Sequence, residues 1–319
     1  MIHTQHIGIL VQVKISKSDP TRTLTLRNAF ERQMVVRFVR IIRSIKQAIV
    51  TDDCFGLNPT TVYASPGKGK YRFHSTSDKI DEFMRWLNSQ VGQELLIIGR
   101  APQYGQALQA PWTNMYIADS YQRGIQRGRY ELAKAGYSVP TLEQTGEMAA
   151  SMSTPFHMDR VGILYTQTFN DLKGITNAMD NQISRVLSQA MIEGDGANKI
   201  ARKLVAVIKG GGGELGITDT LGRFIPAERR ARMLARTEII RAHHQATIQE
   251  YRNWGAVGVK VQAEWQTAGD ERVCDECGAL EGQVFTLDEI EPMIPVHPMC
   301  RCMALPMEVK KVAKLTKSE

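Results

Sequence analysis

Along much of this chain, apolar residues recur at steps of three and four, the spacing that places side chains on one face of an α-helix. This spacing predicts helices over residues 77–93, 112–135, 159–192 (as one helix or two), 198–208 and 226–254. The clearest example follows Asp19 and Pro20 and consists of Phe30, Met34, Phe38, Ile41, Ile42, Ile45 and Ile49. The chain is therefore predicted to be mainly helical.

The helix predicted over residues 112–135 combines an apolar face with several cations. Its charge comes from Arg123, Arg127 and Arg129. Its buried face is expected to consist of Met115, Ile117, Ala118, Tyr121, Ile125 and Tyr130.

After Gly255 the pattern changes from helical to alternating. Val257, Val259 and Val261 alternate with other residues towards Trp265, which predicts a β-strand. A second extended segment is expected near residues 301–306. The predicted fold class is therefore mainly α with a small C-terminal α+β module.

The C-terminal module contains four of the five cysteines of the chain. Two residues separate Cys274 from Cys277, and two separate His297 from Cys300. Each such pair can direct two donor atoms at one ion, and two pairs complete a tetrahedral zinc site. Cys302 lies two residues beyond Cys300, so on an extended segment it can replace either member of the second pair. We predict a structural Zn²⁺ that holds the module together, with five candidate ligands for four places.

Two other interpretations of the cysteine cluster are less favoured. A disulfide needs an oxidising compartment, and residues 1–14 lack the basic start and cleavage site of a secretory signal, so a reducing, cytoplasmic setting is expected. Catalytic zinc usually keeps a water position beside His and carboxylate ligands, whereas a sulfur-rich set is typical of structural sites. Since no nucleophile–base pair stands out elsewhere, we expect no enzymatic activity.

Charge is distributed unevenly along the chain, whose formal net charge is +7. Residues 1–50 hold nine Lys and Arg against two acidic residues, whereas residues 264–291 hold nine Asp and Glu against one Arg. The acidic module should repel nucleic acid. No run approaches the roughly 20 apolar residues of a membrane span. If DNA is bound, residues 1–50 are expected to bind it.

The exposed side of the first predicted helix carries four arginines, Arg32, Arg37, Arg40 and Arg43. The simpler interpretation is a solvated basic face, and a nucleic-acid contact is the alternative. Residues 136–155 are polar and contain two prolines, which predicts a domain boundary. The predicted organisation is a basic helical region (1–150) that docks on a partner, a second region (151–307) ending in the metal module (255–307), and a basic tail (308–319).

Several other residues are assigned structural roles. His243 and His244 are adjacent on a helix and point about 100° apart, so they are interpreted as surface or packing residues rather than as ligands of one ion. Trp265 is expected to pack over the small core that zinc closes, and Asp270 to orient the first cysteine pair. Cys54 is interpreted as a lone core thiol.

Short motifs between residues 235 and 306 occur in an order that resembles a known family. They are Ala235-Arg-Thr-Glu238, Glu264-Trp265, Asp270-Glu-Arg-Val-Cys274, Cys277, Gly282-Gln-Val-Phe285 and His297-Pro-Met-Cys300-Arg-Cys302. Together they resemble the Mu F-like minor head (head morphogenesis) proteins of tailed bacteriophages. The similarity extends back through residues 191–200 and, more loosely, to the helices near residues 19–22 and 112–130. Met299 stands where such proteins often have Asn.

The resemblance implies a structural virion protein that acts in procapsid assembly and associates with the portal protein. Major capsid and scaffold proteins and the packaged DNA are further candidate partners. The resemblance also implies that the protein has a role in DNA ejection. The implied location is the virion head, and the host cytoplasm during assembly, without a membrane. The alternatives are a phage-derived effector that acts on nucleic acid and a zinc-stabilised DNA-binding protein.

Overall fold

The computed structural model describes residues 19–57, 79–96, 98–100, 109–210, 218, 223–255 and 261–308 of the chain. The stretch predicted over residues 159–192 forms part of one uninterrupted helix, which confirms the first of the two expected forms. The helices are α1 (Leu24–Lys46), α2 (Lys79–Leu95), α3 (Asn114–Lys134), α4 (Glu147–Met152), α5 (Pro155–Ile192), α6 (Ala197–Lys209), α7 (Ala227–Gly255), α8 (Asp275–Leu280) and α9 (Leu287–Ile290).

Two antiparallel sheets accompany the helices. A hairpin pairs β1 (Ile98–Arg100) with β2 (Gln109–Pro111). The second sheet has the order β4–β3–β5 and consists of β3 (Val261–Gln266), β4 (Val284–Thr286) and β5 (Met303–Glu308). The mainly helical fold with a small C-terminal strand module is therefore confirmed. Val257 and Val259 of the predicted strand lie outside the described residues.

The α7 helix lies at the centre of the fold. It packs against α1, α3, α5, α6 and the C-terminal sheet. Small residues on several of its sides allow neighbouring helices to approach closely, and those that are fully buried are Ala227, Ala231, Ala235, Ala242 and Ala246. A helix that is buried on nearly every side has no single apolar stripe. Because α7 contacts most of the other helices and the sheet, it determines how these elements are placed around it.

Buried apolar residues form two clusters. The larger cluster contains residues of α1, α2, α3, α5, α6 and α7, and all seven apolar residues predicted for the first helix lie in it. The smaller cluster joins the C-terminal part of α7 to the sheet and to Cys277, Cys300 and Cys302. The larger cluster draws on both sides of residue 150, and the boundary predicted there stays a prediction.

The α3 helix differs from its predicted pattern. Met115 and Tyr130 were expected to be buried but are 66% and 51% exposed. Arg127 and Arg129 are instead buried. The difference arises because α3 faces α7, where Glu250 accepts a hydrogen bond from Arg129, and because Glu131 pairs with Arg127 on the same helix. Compensated charges can occupy positions that an apolar pattern would reserve for hydrophobic side chains.

A buried polar network connects α3, α5 and α7 through the carboxylate of Glu250. The Nε of Arg129 and the Nε1 of Trp254 donate to Oε2 over 2.8 and 2.7 Å, and Nε2 of His157 lies 3.0 Å from Oε1. The other ring nitrogen of His157 lies 2.8 Å from the hydroxyl of Tyr121. Burial alone would raise the pKa of Glu250, but the hydrogen bonds from His157 and Arg129 hold it below its ordinary value.

The substitution Glu250→Gln is expected to lower the free energy of unfolding by about 2 kcal/mol at pH 7, because it removes the charge that compensates buried Arg129. Since the folded pKa of Glu250 lies below the unfolded one, its contribution is complete above the unfolded value of about 4.3 and disappears as the pH falls through the folded value. Denaturant titrations from pH 7 to pH 3 should show parent and variant converging. The exposed Glu143→Gln serves as a control, and an equal effect of both substitutions would contradict the prediction.

Candidate metal centre

Two segments of the C-terminal module carry the five candidate ligands: the first loop leads into the start of α8 and holds Cys274 and Cys277, and the second holds His297, Cys300 and Cys302. Cys274 is the N-cap of α8, and the backbone N–H of Cys277 donates to its sulfur over 3.4 Å. This contact is the largest cause of a lowered pKa for the Cys274 thiol. In the second loop, between α9 and β5, the N–H of Cys300 donates to the carbonyl of His297 over 3.1 Å. Each pair is therefore closed by a tight turn.

The two loops meet at Cys277. The Nε2 of His297 lies 3.1 Å from the sulfurs of both Cys274 and Cys277. The donor atoms of these three residues lie within 4.8 Å of one another, and the same is true of Cys277, Cys300 and Cys302. The structure thus brings all five residues together in two overlapping groups that could hold a metal ion. Which of them act as ligands stays a prediction.

Proton placement favours metal binding at Nε2 of His297. The other ring nitrogen, Nδ1, lies 2.8 Å from the carbonyl oxygen of Pro298. A carbonyl only accepts hydrogen bonds, so the proton belongs on Nδ1, which leaves the lone pair of Nε2 directed at the two sulfurs. Imidazole and thiolate donors in a closed set are the ligands that zinc takes in structural sites, so the residues present suit this ion.

The buried thiols of the cluster affect one another's ionisation. Burial raises the pKa of Cys277 to about 12. A hydrogen bond between Cys300 and Cys302 lowers the pKa of Cys300 to about 5 and raises that of Cys302. Crowded thiols cannot all ionise without a compensating positive charge. A bound cation would supply that charge and would release the thiol protons.

Outside the cluster, Asp270 joins the two loops. Its carboxylate accepts two hydrogen bonds from the guanidinium of Arg301, over 2.6 and 2.7 Å, and Arg301 stands between Cys300 and Cys302 in the chain. These bonds from Arg301, with others from Arg272, hold the pKa of Asp270 well below its usual range. Its backbone carbonyl also accepts from the N–H of Val273, next to Cys274. Trp265 is fully buried and belongs to the smaller apolar cluster, as expected.

The second loop is anchored to α7 through Met299. Its N–H donates to the hydroxyl of Thr237 over 3.0 Å, which places the loop on the Ala235–Glu238 motif. Met299 has a φ of +65°, a left-handed conformation that a long side chain rarely adopts. Asn tolerates this conformation better than a long apolar side chain does.

The substitution Met299→Asn is therefore expected to raise the free energy of unfolding by about 0.5–1 kcal/mol, because it relieves backbone strain at a position where the side chain is 45% exposed. Thermal unfolding of the zinc-loaded protein would measure the change. As a control, Met158→Asn replaces an exposed methionine in a helix and should be neutral or slightly destabilising. A melting temperature of Met299→Asn below that of the parent would contradict the prediction.

The four arginines predicted as a nucleic-acid contact have different surroundings. The guanidinium of Arg37 stacks 4.1 Å from the ring centre of Trp112 and donates to the carbonyl of Glu94, and Arg40 pairs with the Glu94 carboxylate over 3.2 Å. These two arginines therefore help to hold α2 against α1. Arg32 and Arg43 are exposed and form no ion pair within the described ranges. A nucleic-acid contact by this group stays a prediction.

His243 and His244 are both buried, and burial lowers their pKa values to about 3 and about 4. They are therefore neutral packing residues, which is one of the two roles expected. Cys54 is also buried, in the larger cluster. The Tyr121–His157–Glu250 network was not predicted, because helical spacing does not report contacts between distant helices. Within the part of the chain that is described, no helix has the length and apolar character needed to cross a membrane.

Fold and site together define a class of protein: a helical body whose C-terminal module is built around a sulfur-rich cluster suited to a metal ion. Residues 181–305 match the family model described as Phage Mu protein F like protein, which confirms the resemblance over that part of the chain. The match runs from α5 into β5 and contains all five candidate ligands. It supports a phage head morphogenesis protein with a place in the virion. Searches of curated proteins and of solved structures found no match.

Proposed function

We propose that this chain is a structural minor head protein of a tailed phage and that it associates with the portal protein during head assembly. The observation that carries the proposal is the family match over residues 181–305, which includes the α7 helix and the complete cysteine cluster. In this proposal the protein has no catalytic role. Major capsid and scaffold proteins are secondary candidates as partners.

The proposal includes a structural Zn²⁺ in the C-terminal module. Cys274, Cys277 and His297 would hold it together with either Cys300 or Cys302. The donor chemistry of these residues supports zinc over a hard cation, which would prefer oxygen ligands. The ion would join two loops that lie far apart in the sequence, and it would supply folding free energy to a module with a small core.

Packaged DNA is proposed as a second contact, formed by the exposed side of α1. Arg32 and Arg43 are the residues best placed for it, because Arg37 and Arg40 are already engaged by α2. A DNA contact would show a steep salt dependence. An Arg32→Gln/Arg43→Gln double variant should lose DNA affinity. The Cys277→Ser variant alters the acidic module, which is not expected to contact DNA, and should therefore show no loss of affinity from that module.

The head assignment is tested by mass spectrometry of gradient-purified heads and tails. A few copies of the chain per head are expected. Purified protein should also bind the portal of the same phage and not the portal of an unrelated phage. Absence from heads together with failure to bind the portal would contradict the proposal, and cleavage of DNA or RNA would favour the effector alternative.

A further inference from the structure

The start of α1 lies against the metal module, although the two are far apart in the sequence. Thr21 lines the same narrow gap as His243 of α7 and Cys302 of the module. Thr21, Thr23 and Arg27 are all buried. The residues that lead into the first helix are therefore enclosed between α7 and the segment that carries a candidate ligand.

Asp19 organises this junction. Its carboxylate accepts hydrogen bonds from the N–H of Leu24 over 2.8 Å, the hydroxyl of Thr21 over 3.1 Å and the guanidinium of Arg27 over 2.6 Å. Asp19 therefore holds Arg27 and Thr21 in one network at the start of α1, and Thr21 lines the gap beside Cys302.

A second route connects the module to α1 through α7. Met299 donates to Thr237, and the neighbouring Arg236 pairs with Glu31 of α1 over 2.5 Å. Arg232, one turn earlier on α7, also pairs with Glu31. The apolar face of α1 belongs to the larger cluster, and three of the candidate ligands, Cys277, Cys300 and Cys302, belong to the smaller one. These polar contacts therefore connect the two clusters through α7.

We propose that metal binding in the module and docking of the start of α1 (residues 19–27) are coupled, so that the metal fixes the N-terminal helix and its loss loosens it. This inference rests on the metal site of the proposed function. The loop from His297 to Cys302 supplies the N–H donor of Met299, and Cys302 at its end lines the gap that Thr21 also lines. When a metal holds its ligands, this loop keeps both groups in place. By linkage, the α1 contacts must strengthen metal binding by the same factor.

Hydrogen exchange of the full chain tests the first direction. Zinc-loaded protein is compared with protein stripped by a chelator, with peptides that cover residues 19–30, 274–302 and 168–187. Stripping is expected to accelerate exchange in the first two segments by roughly tenfold or more and to leave the α5 segment unchanged. Unchanged exchange over residues 19–30, while residues 274–302 accelerate, would overturn the coupling.

Chelator competition tests the reverse direction. Asp19→Asn, which weakens the junction without touching a candidate ligand, should weaken zinc binding roughly fivefold. Glu193→Gln is the matched control, because its partners Gln189 and Lys203 lie in α5 and α6, and it should bind zinc like the parent. Parent-like affinity of Asp19→Asn would overturn the coupling. A chain that binds no zinc would overturn both the coupling and the proposed metal site, whereas failure to find the protein in heads would affect only the head assignment.

Discussion

Replacement of Cys277 by serine is expected to release the metal and to unfold the C-terminal module. Cys277 is buried and belongs to both groups of candidate ligands, so every four-ligand set built from these groups contains it. In small zinc-binding peptides, the metal supplies on the order of 10 kcal/mol of folding free energy, more than the small core of this module can replace. Elemental analysis should show loss of zinc. The tryptophan fluorescence should also shift, because Trp265 becomes exposed to solvent.

The chain offers a matched control for this substitution. Cys54 is also a buried thiol, but it lies in the larger cluster, away from the five candidate ligands. Cys54→Ala should keep the metal and lose only about 1 kcal/mol, the size of a small packing defect. A Cys277→Ser protein that retains zinc and melts like the parent would mean that the cysteines are not ligands.

The same assay identifies the fourth ligand. Cys300→Ser and Cys302→Ser are expected to differ, because only one of the two sulfurs is needed to complete a tetrahedral set. The variant that loses zinc identifies the ligand. The other residue would then act as a buried thiol beside the metal site.

The sequence predicted local structure better than it predicted contacts. The three- and four-residue steps of α1 are a local signal, and all seven apolar residues are buried as expected. The spacing of the cysteine pairs is likewise local, and the two loops do meet. The presence of five donors rather than four left the ligand set open, because spacing cannot show which sulfur points at the ion.

Features that depend on packing between distant helices were not predictable. Tyr121, His157 and Glu250 lie on three different helices, and no periodicity connects them. The burial of Arg127 and Arg129 was not predicted from the apolar pattern of α3, because the carboxylates that compensate their charges could not be located from the sequence. The left-handed conformation of Met299 was equally hidden, since methionine gives no signal for it.

Gly124→Ala is expected to cause a large loss of stability in the helical body. A Cβ at Gly124 would overlap the carbonyl oxygen of His243 and would lie 2.7 Å from the Cβ of Ala246, both on α7. A backbone carbonyl cannot rotate away like a side chain, so α3 and α7 would have to separate. Overpacking of this kind costs about 3 kcal/mol. Denaturant titration would measure the loss.

The expected damage extends beyond the point of contact. Tyr121 precedes Gly124 by one turn of α3, and Arg129 follows it, so a displaced α3 would lengthen the hydrogen bonds that both residues contribute to the Glu250 network. Gly174→Ala is the control, because a Cβ there meets nothing within 4 Å on a helix, and it should stabilise the protein by up to about 1 kcal/mol. If both substitutions stabilised the protein, the close packing of α3 on α7 would be wrong, and with it the geometry that places Glu250 between Arg129 and His157.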